Sequence, residues 1–168
     1  ELHEELGLEV ATVYPWLTRD FDYAHAAVRL RFFRVLDWRG EPHGREQQQF
    51  TWQSISAVAV APVLPANGPI LRALELPHVY GITCAAQTGY AAFMSKLESA
   101  LKGGLRLIQV REKSMDLNEL REFTVAVVAL ARRYGARVLV NGSSALAVDA
   151  GADGVHLTAA QLMACSRK

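Results

Sequence analysis

Three glutamates crowd the start of the chain: Glu1, Glu4 and Glu5 fall within the first five residues, and Gly7 follows. On a helix, positions 1, 4 and 5 share one face. Three carboxylates there repel one another unless water screens them or a cation sits between them. Mg2+ suits such a set, because it is a hard ion that takes carboxylate oxygens and often phosphate oxygens. The spacing alone fits equally a solvated acidic helix end. Glu46, ahead of Phe50 and Trp52, is either a further carboxylate of that kind or a surface charge beside a turn. Asn67 precedes Gly68 and Pro69, where asparagine commonly caps or turns the chain. Its carboxamide also offers a donor and an acceptor together, enough to read one edge of a base.

A second set lies further along. In "LIQVREK", Gln109, Arg111 and Lys113 occupy alternate positions, so a strand sends all three to one side. Arg and Lys clustered at a strand end suit a phosphate or pyrophosphate, or else form a charged rim. Asn141 closes "RVLVN", and His156 lies in "DGVHL". A histidine there is either a base or a packed, hydrogen-bonded residue.

The elements that position these residues fall into two halves. Residues 1 to 76 read as a helix end, strands and a short closing helix. Residues 26–38 alternate, with Val28, Leu30 and Phe32 opposite Arg29 and Arg31. "DWRGEPHG" is a turn-rich connection, and "QFTWQSI" reads as a further strand. "LPANGPILRAL" reads as a loop feeding a helix, with Pro69 in its first turn. From Pro77 the pattern becomes strand–helix–strand. "HVYGIT", "LRLIQV", "RVLVN" and "DGVHL" read as strands. Phe93, Leu97, Ala100 and Leu101 form one helical stripe, ended by Gly103. Asp116 with Glu119 starts a second helix, whose apolar face is Leu117, Leu120, Val127 and Leu130 and whose stop is Gly135. Alternating β and α predicts a parallel sheet, with too few strands to close a barrel.

Composition narrows the class. The 168 residues are 51% hydrophobic and 21% charged, with net charge +1. That is globular, and it gives no reason to expect a nucleic-acid-binding surface. Cys84 and Cys165 are too far apart in sequence for a metal-like cluster and suggest a reducing, cytoplasmic setting. The best apolar run, around 125–131, is too short to span a membrane.

"ELHEELGL" resembles the end of the Nudix box, with Glu1, Leu2, Glu4, Glu5, Gly7 and Leu8 each in place. "WRGEPHGREQQQFTW" and "PANGPILRAL" are similar to MutT-type 8-oxo-dGTP diphosphatases. The resemblance implies an Mg2+-dependent hydrolase, with Mn2+ as an alternative ion, converting 8-oxo-dGTP to the monophosphate and pyrophosphate in nucleotide-pool sanitation. It makes Glu4 and Glu5 metal ligands, Glu1 and Glu46 metal-binding or catalytic residues, and Asn67 the reader of the oxidised purine. The rest of the box would precede residue 1, so this chain alone is expected to have little diphosphatase activity.

Residues 78–168 resemble the first half of thiamine phosphate synthase and its relative TenI, through "YGIT", "GGLRLIQVREK", "VLVN" and "GADGVHL". That resemblance makes Gln109, Arg111, Lys113, Asn141 and His156 phosphate- or substrate-binding residues. It also implies two magnesium-ligand aspartates where this chain has Gly142 and Gln161. The expected fold class is thus α/β: the C-terminal part of an α+β Nudix fold (1–76), then the first half of a (βα)8 TIM-type barrel (77–168). The expected function is the diphosphatase fused to a degenerate synthase-like domain. One alternative is Nudix hydrolysis of a thiamine-pathway pyrophosphate beside an active synthase. The other makes the barrel a non-catalytic phosphate-ligand or interaction module.

Overall fold

A computed structural model describes residues 1–165; the last three residues of the expected 77–168 domain lie outside the described residues. The chain divides into two units, Glu1–Glu75 and Leu76–Lys168.

The first unit opens with helix α1 (Leu2–Leu6). Gly7 ends it at φ +71, a left-handed cap that glycine adopts without strain. Two long strands follow, β1 (Glu9–Tyr23) and β2 (Ala26–Arg39), paired as an antiparallel hairpin. Alternation in β2 is as expected, with Val28, Leu30 and Phe32 partly buried between exposed neighbours. A 3-10 turn (Pro65–Asn67) leads into α2 (Gly68–Leu74), with Pro69 in its first turn. "QFTWQSI" is not a strand; it holds only an isolated bridge between Ser54 and Ala57. A strand needs a partner strand, and this segment's bridge closes only three residues further along the chain. Trp52 instead stacks on Trp38, with ring centroids 6.1 Å apart.

The second unit is built on a four-stranded parallel sheet in sequence order: β3 (Gly81–Ile82), β4 (Leu107–Val110), β5 (Arg137–Asn141) and β6 (Gly154–His156). The helices are α3 (Ala85–Thr88), α4 (Tyr90–Lys102), α5 (Leu117–Arg132), α6 (Ser144–Asp149) and α7 (Ala159–Ala164). Every residue of β4 is buried, as a strand covered on both faces should be. Phe93, Leu97 and Leu101 of α4 meet Phe123 and Val127 of α5 over Ile108, Val110 and Val138 of the sheet. Asp116 starts α5 with a full capping box: its side chain accepts from the Asn118 and Glu119 amides, and Glu119 returns to the Asp116 amide. Leu117 departs from its expected place on the apolar face and is 83% exposed. It occupies the first helical position, before any turn exists for it to pack over. The buried face runs instead through Phe123, Thr124, Val127, Val128 and Ala131. "HVYGIT" contributes only two paired residues, because the chain turns into α3 straight after it. Among the described residues no helix is long and apolar enough to cross a membrane.

Candidate functional site

The carboxyl ends of β3–β6 collect the second set of sequence-derived residues. Gln109 is 3% exposed, and its Nε2 donates to Asn141 Oδ1 at 3.1 Å. Asn141 is paired in register with His156 on the next strand, and the Gly142 amide donates to the His156 carbonyl at 2.9 Å. His156 Nδ1 lies 3.2 Å from the Tyr80 hydroxyl, and the two rings are 5.8 Å apart. Burial pushes the Tyr80 phenol above its ordinary pKa. Tyr80 precedes one edge strand and His156 ends the other. Four flat strands would hold these edges roughly 14 Å apart, so their contact requires a sheet curved across this face.

Arg111 and Lys113 stand beside this row, exposed on the segment after β4. They line a cleft of about 480 Å³ with Thr83, Cys84, Gln87 and Ser114. Thr83 Oγ1 accepts the Arg111 amide at 3.0 Å, which fixes the path of that segment. Glu112 points the other way: it is buried, and its two oxygens accept the Ala85 and Ala86 amides at 2.7 and 3.1 Å. Among the described residues no ion pair engages Arg111 or Lys113, and Glu112, which also lines the cleft, has its oxygens occupied by backbone amides.

Tyr80, Thr83 and Glu112 were not found by the sequence reading. Period two places Glu112 opposite Arg111 and Lys113, on the core side of a strand, and a charge there was the available signal. Tyr80 shares a face with Ile82 by the same period. Nothing local pairs it with a residue 76 positions away.

The two positions where aspartates were implied are tied to each other. Gly142 has φ +76 and no side-chain oxygen. Gln161 Oε1 accepts from both the amide and the hydroxyl of Thr158 at 2.9 Å, and its Nε2 donates to the Gly142 carbonyl. Mg2+ takes hard, preferably anionic oxygens. A missing side chain and an engaged neutral amide do not fit it.

The first set is arranged differently. Glu1, Glu4 and Glu5 are exposed on or beside α1. The loop bearing Glu46 is drawn to that helix, since the Arg45 amide and Gln48 Nε2 both donate to the Glu5 carbonyl at 2.9 Å. Among the described residues no group of three or more His, Cys, Asp or Glu is placed to hold a metal ion. Asn67 is half-buried at the N-cap of α2, and its side chain makes no capping bond.

Comparison with known proteins finds a family match within the second unit. The family described as thiamine monophosphate synthase matches residues 79–167. The thiamine-phosphate synthase of Thioalkalivibrio sulfidiphilus is 40% identical over 83 residues, 49% of this chain and 39% of that protein. The thiamine-phosphate synthase of Chlorobium limicola is 48% identical over 58 residues, 34% of this chain and 28% of that protein. Among solved structures, a thiamine phosphate pyrophosphorylase from Pyrococcus furiosus matches with 30% identity and TM-score 0.41, covering 45% of this chain and 36% of that one. The chain spans less than half the length of the curated relatives it matches. These findings correct one expectation. The matching family and the curated relatives are named as synthases, so a Nudix diphosphatase is overturned as the primary activity.

Proposed function

The chain belongs to the thiamine monophosphate synthase family, and from that premise we propose that the strand ends of its second unit bind a phosphate- or pyrophosphate-bearing substrate of thiamine synthesis for group transfer. A thiamine-phosphate synthase joins hydroxymethylpyrimidine pyrophosphate to thiazole phosphate and releases pyrophosphate. The observation that carries the reading is the cleft lined by Arg111 and Lys113, on the segment that leaves β4 just after Gln109, whose side chain bonds Asn141 on the next strand. Arg111 and Lys113 neutralise phosphate charge, Arg111 with a planar fork and Lys113 as a point charge. Gln109 holds the Asn141 carboxamide in place. A leaving pyrophosphate gains charge as its C–O bond to the methylene carbon of the hydroxymethyl group breaks, and fixed cations and N–H donors stabilise that charge most as it develops.

Titration calorimetry with hydroxymethylpyrimidine pyrophosphate tests the binding. Arg111→Ala combined with Lys113→Ala is expected to weaken it by at least roughly tenfold, the loss of one charge-assisted contact. Equal affinity in the double variant removes the cleft as the site. A second reading, a phosphate-ligand module without turnover, is favoured by one feature: the Gly142–Gln161 pair in place of carboxylates. Adding thiazole phosphate and measuring thiamine phosphate separates the two. Tight binding with no product supports the module; product formation supports the synthase.

A further inference from the structure

We propose that Tyr80 is a positioning residue: its hydroxyl donates to His156 Nδ1 and holds the imidazole in the tautomer that carries its proton on Nε2. His156 then serves as a neutral hydrogen-bond donor to a phosphate oxygen and not as a base. The inference rests on the anion-binding reading of the strand ends.

The geometry carries the assignment. A neutral imidazole has one donor nitrogen and one acceptor nitrogen, and the bond made by one nitrogen fixes the other. The Tyr80 hydroxyl lies 3.2 Å from Nδ1. A phenol is the stronger donor of the two and an imidazole nitrogen the stronger acceptor, so the hydroxyl donates and Nδ1 accepts. With the phenol donating, both groups are satisfied and Nε2–H is left for a ligand. The raised pKa of the Tyr80 phenol keeps that proton in place. The neighbouring position follows the same logic. Asn141 Oδ1 is taken by Gln109 Nε2, so Asn141 has its NH2 group to offer. Asn141 and His156 are paired in register. Two strands therefore present adjacent donors with their acceptors already occupied. That arrangement complements an acceptor-only oxyanion and repels a group that must donate.

Long-range 1H–15N correlation of the histidine rings, at a pH where they are neutral, reads the tautomer directly. His156→Gln identifies the signal by its loss. The expected result is an unprotonated Nδ1 and a protonated Nε2 in the unsubstituted chain, with a mixture of tautomers in Tyr80→Phe. Inorganic phosphate should bind Tyr80→Phe about twofold more weakly, since an even mixture of tautomers halves the competent population. His156→Ala, which removes the donor, should bind phosphate roughly fivefold more weakly, the worth of one hydrogen bond. A protonated Nδ1, or a tautomer unchanged in Tyr80→Phe, overturns the assignment. If the tautomer is as expected but phosphate does not bind the unsubstituted chain, the anion-binding reading fails and the control of His156 by Tyr80 stands.

Discussion

Glu112 sits between two cations and pairs with neither. Its oxygens are spent on the Ala85 and Ala86 amides, so it fastens the segment after β4 to the start of α3. Glu112→Gln would turn an NH2 group toward one of those amides and leave a buried donor without an acceptor. The expected cost is about 1–3 kcal/mol, read as a lower urea midpoint at unchanged slope. A midpoint within error of the parent would mean that the carboxylate is not needed there. Arg111 and Lys113 were legible in the sequence because period two is a local rule and both lie in one short run. Glu112 was not, because its partners lie 26 and 27 residues away in a four-residue helix with no periodic signal. Gln161 shows the same limit. A sequence reports the missing carboxylate, but not that the replacing amide bonds the Gly142 carbonyl.

At the scale of elements, what was legible was what is encoded nearby. The α5 capping box needs only residues 116–119, and α4 and α5 announced themselves by stripes at helical spacing. "QFTWQSI" misled because β-propensity is satisfied only by a partner strand, and there the chain makes only a local bridge from Ser54 to Ala57. Asp116→Ala should cost about 1 kcal/mol, the usual worth of an N-cap, seen as a lowered thermal midpoint. Leu101→Ala should cost roughly 2–5 kcal/mol, because the side chain is fully buried and its removal leaves a cavity. The far ends of the two helices are joined by an ionisable cluster. The Tyr134 hydroxyl donates to Glu98 at 2.8 Å, with Lys102 at 3.4 Å. The Tyr134 bond first, then Lys102, hold the Glu98 carboxyl below its usual range. A carboxyl lowered on folding stabilises above its unfolded pKa, and the effect is lost as pH falls through the folded pKa. Tyr134→Phe should therefore lower the thermal midpoint at neutral pH, and the gap to the parent should close on acidification. A gap independent of pH would assign the loss to packing.

Across the whole molecule, burial is unevenly shared, and so is legibility. The second unit has a continuous core linking α4, α5 and the parallel sheet. In the first unit, the buried apolar residues among those described are Leu8, Ala66 and Ile70. Its hairpin leaves Val13, Tyr14, Phe33 and Leu36 at least half exposed. The family motifs of the second half rest on that core, and the matched relatives align there. The first half carried its resemblance in short polar motifs, which need no core of their own. Unequal burial predicts unequal opening, since local stability follows the apolar contacts an opening would break. Amide hydrogen exchange of the full chain should show β4 and β5 protected to the level of global unfolding. The cross-strand-bonded β1–β2 amides, though the strands are paired along almost their whole length, should exchange at least about a hundredfold faster, a difference of roughly 3 kcal/mol in opening free energy. Uniform protection across both units would mean that the hairpin is stabilised by contacts beyond its own burial.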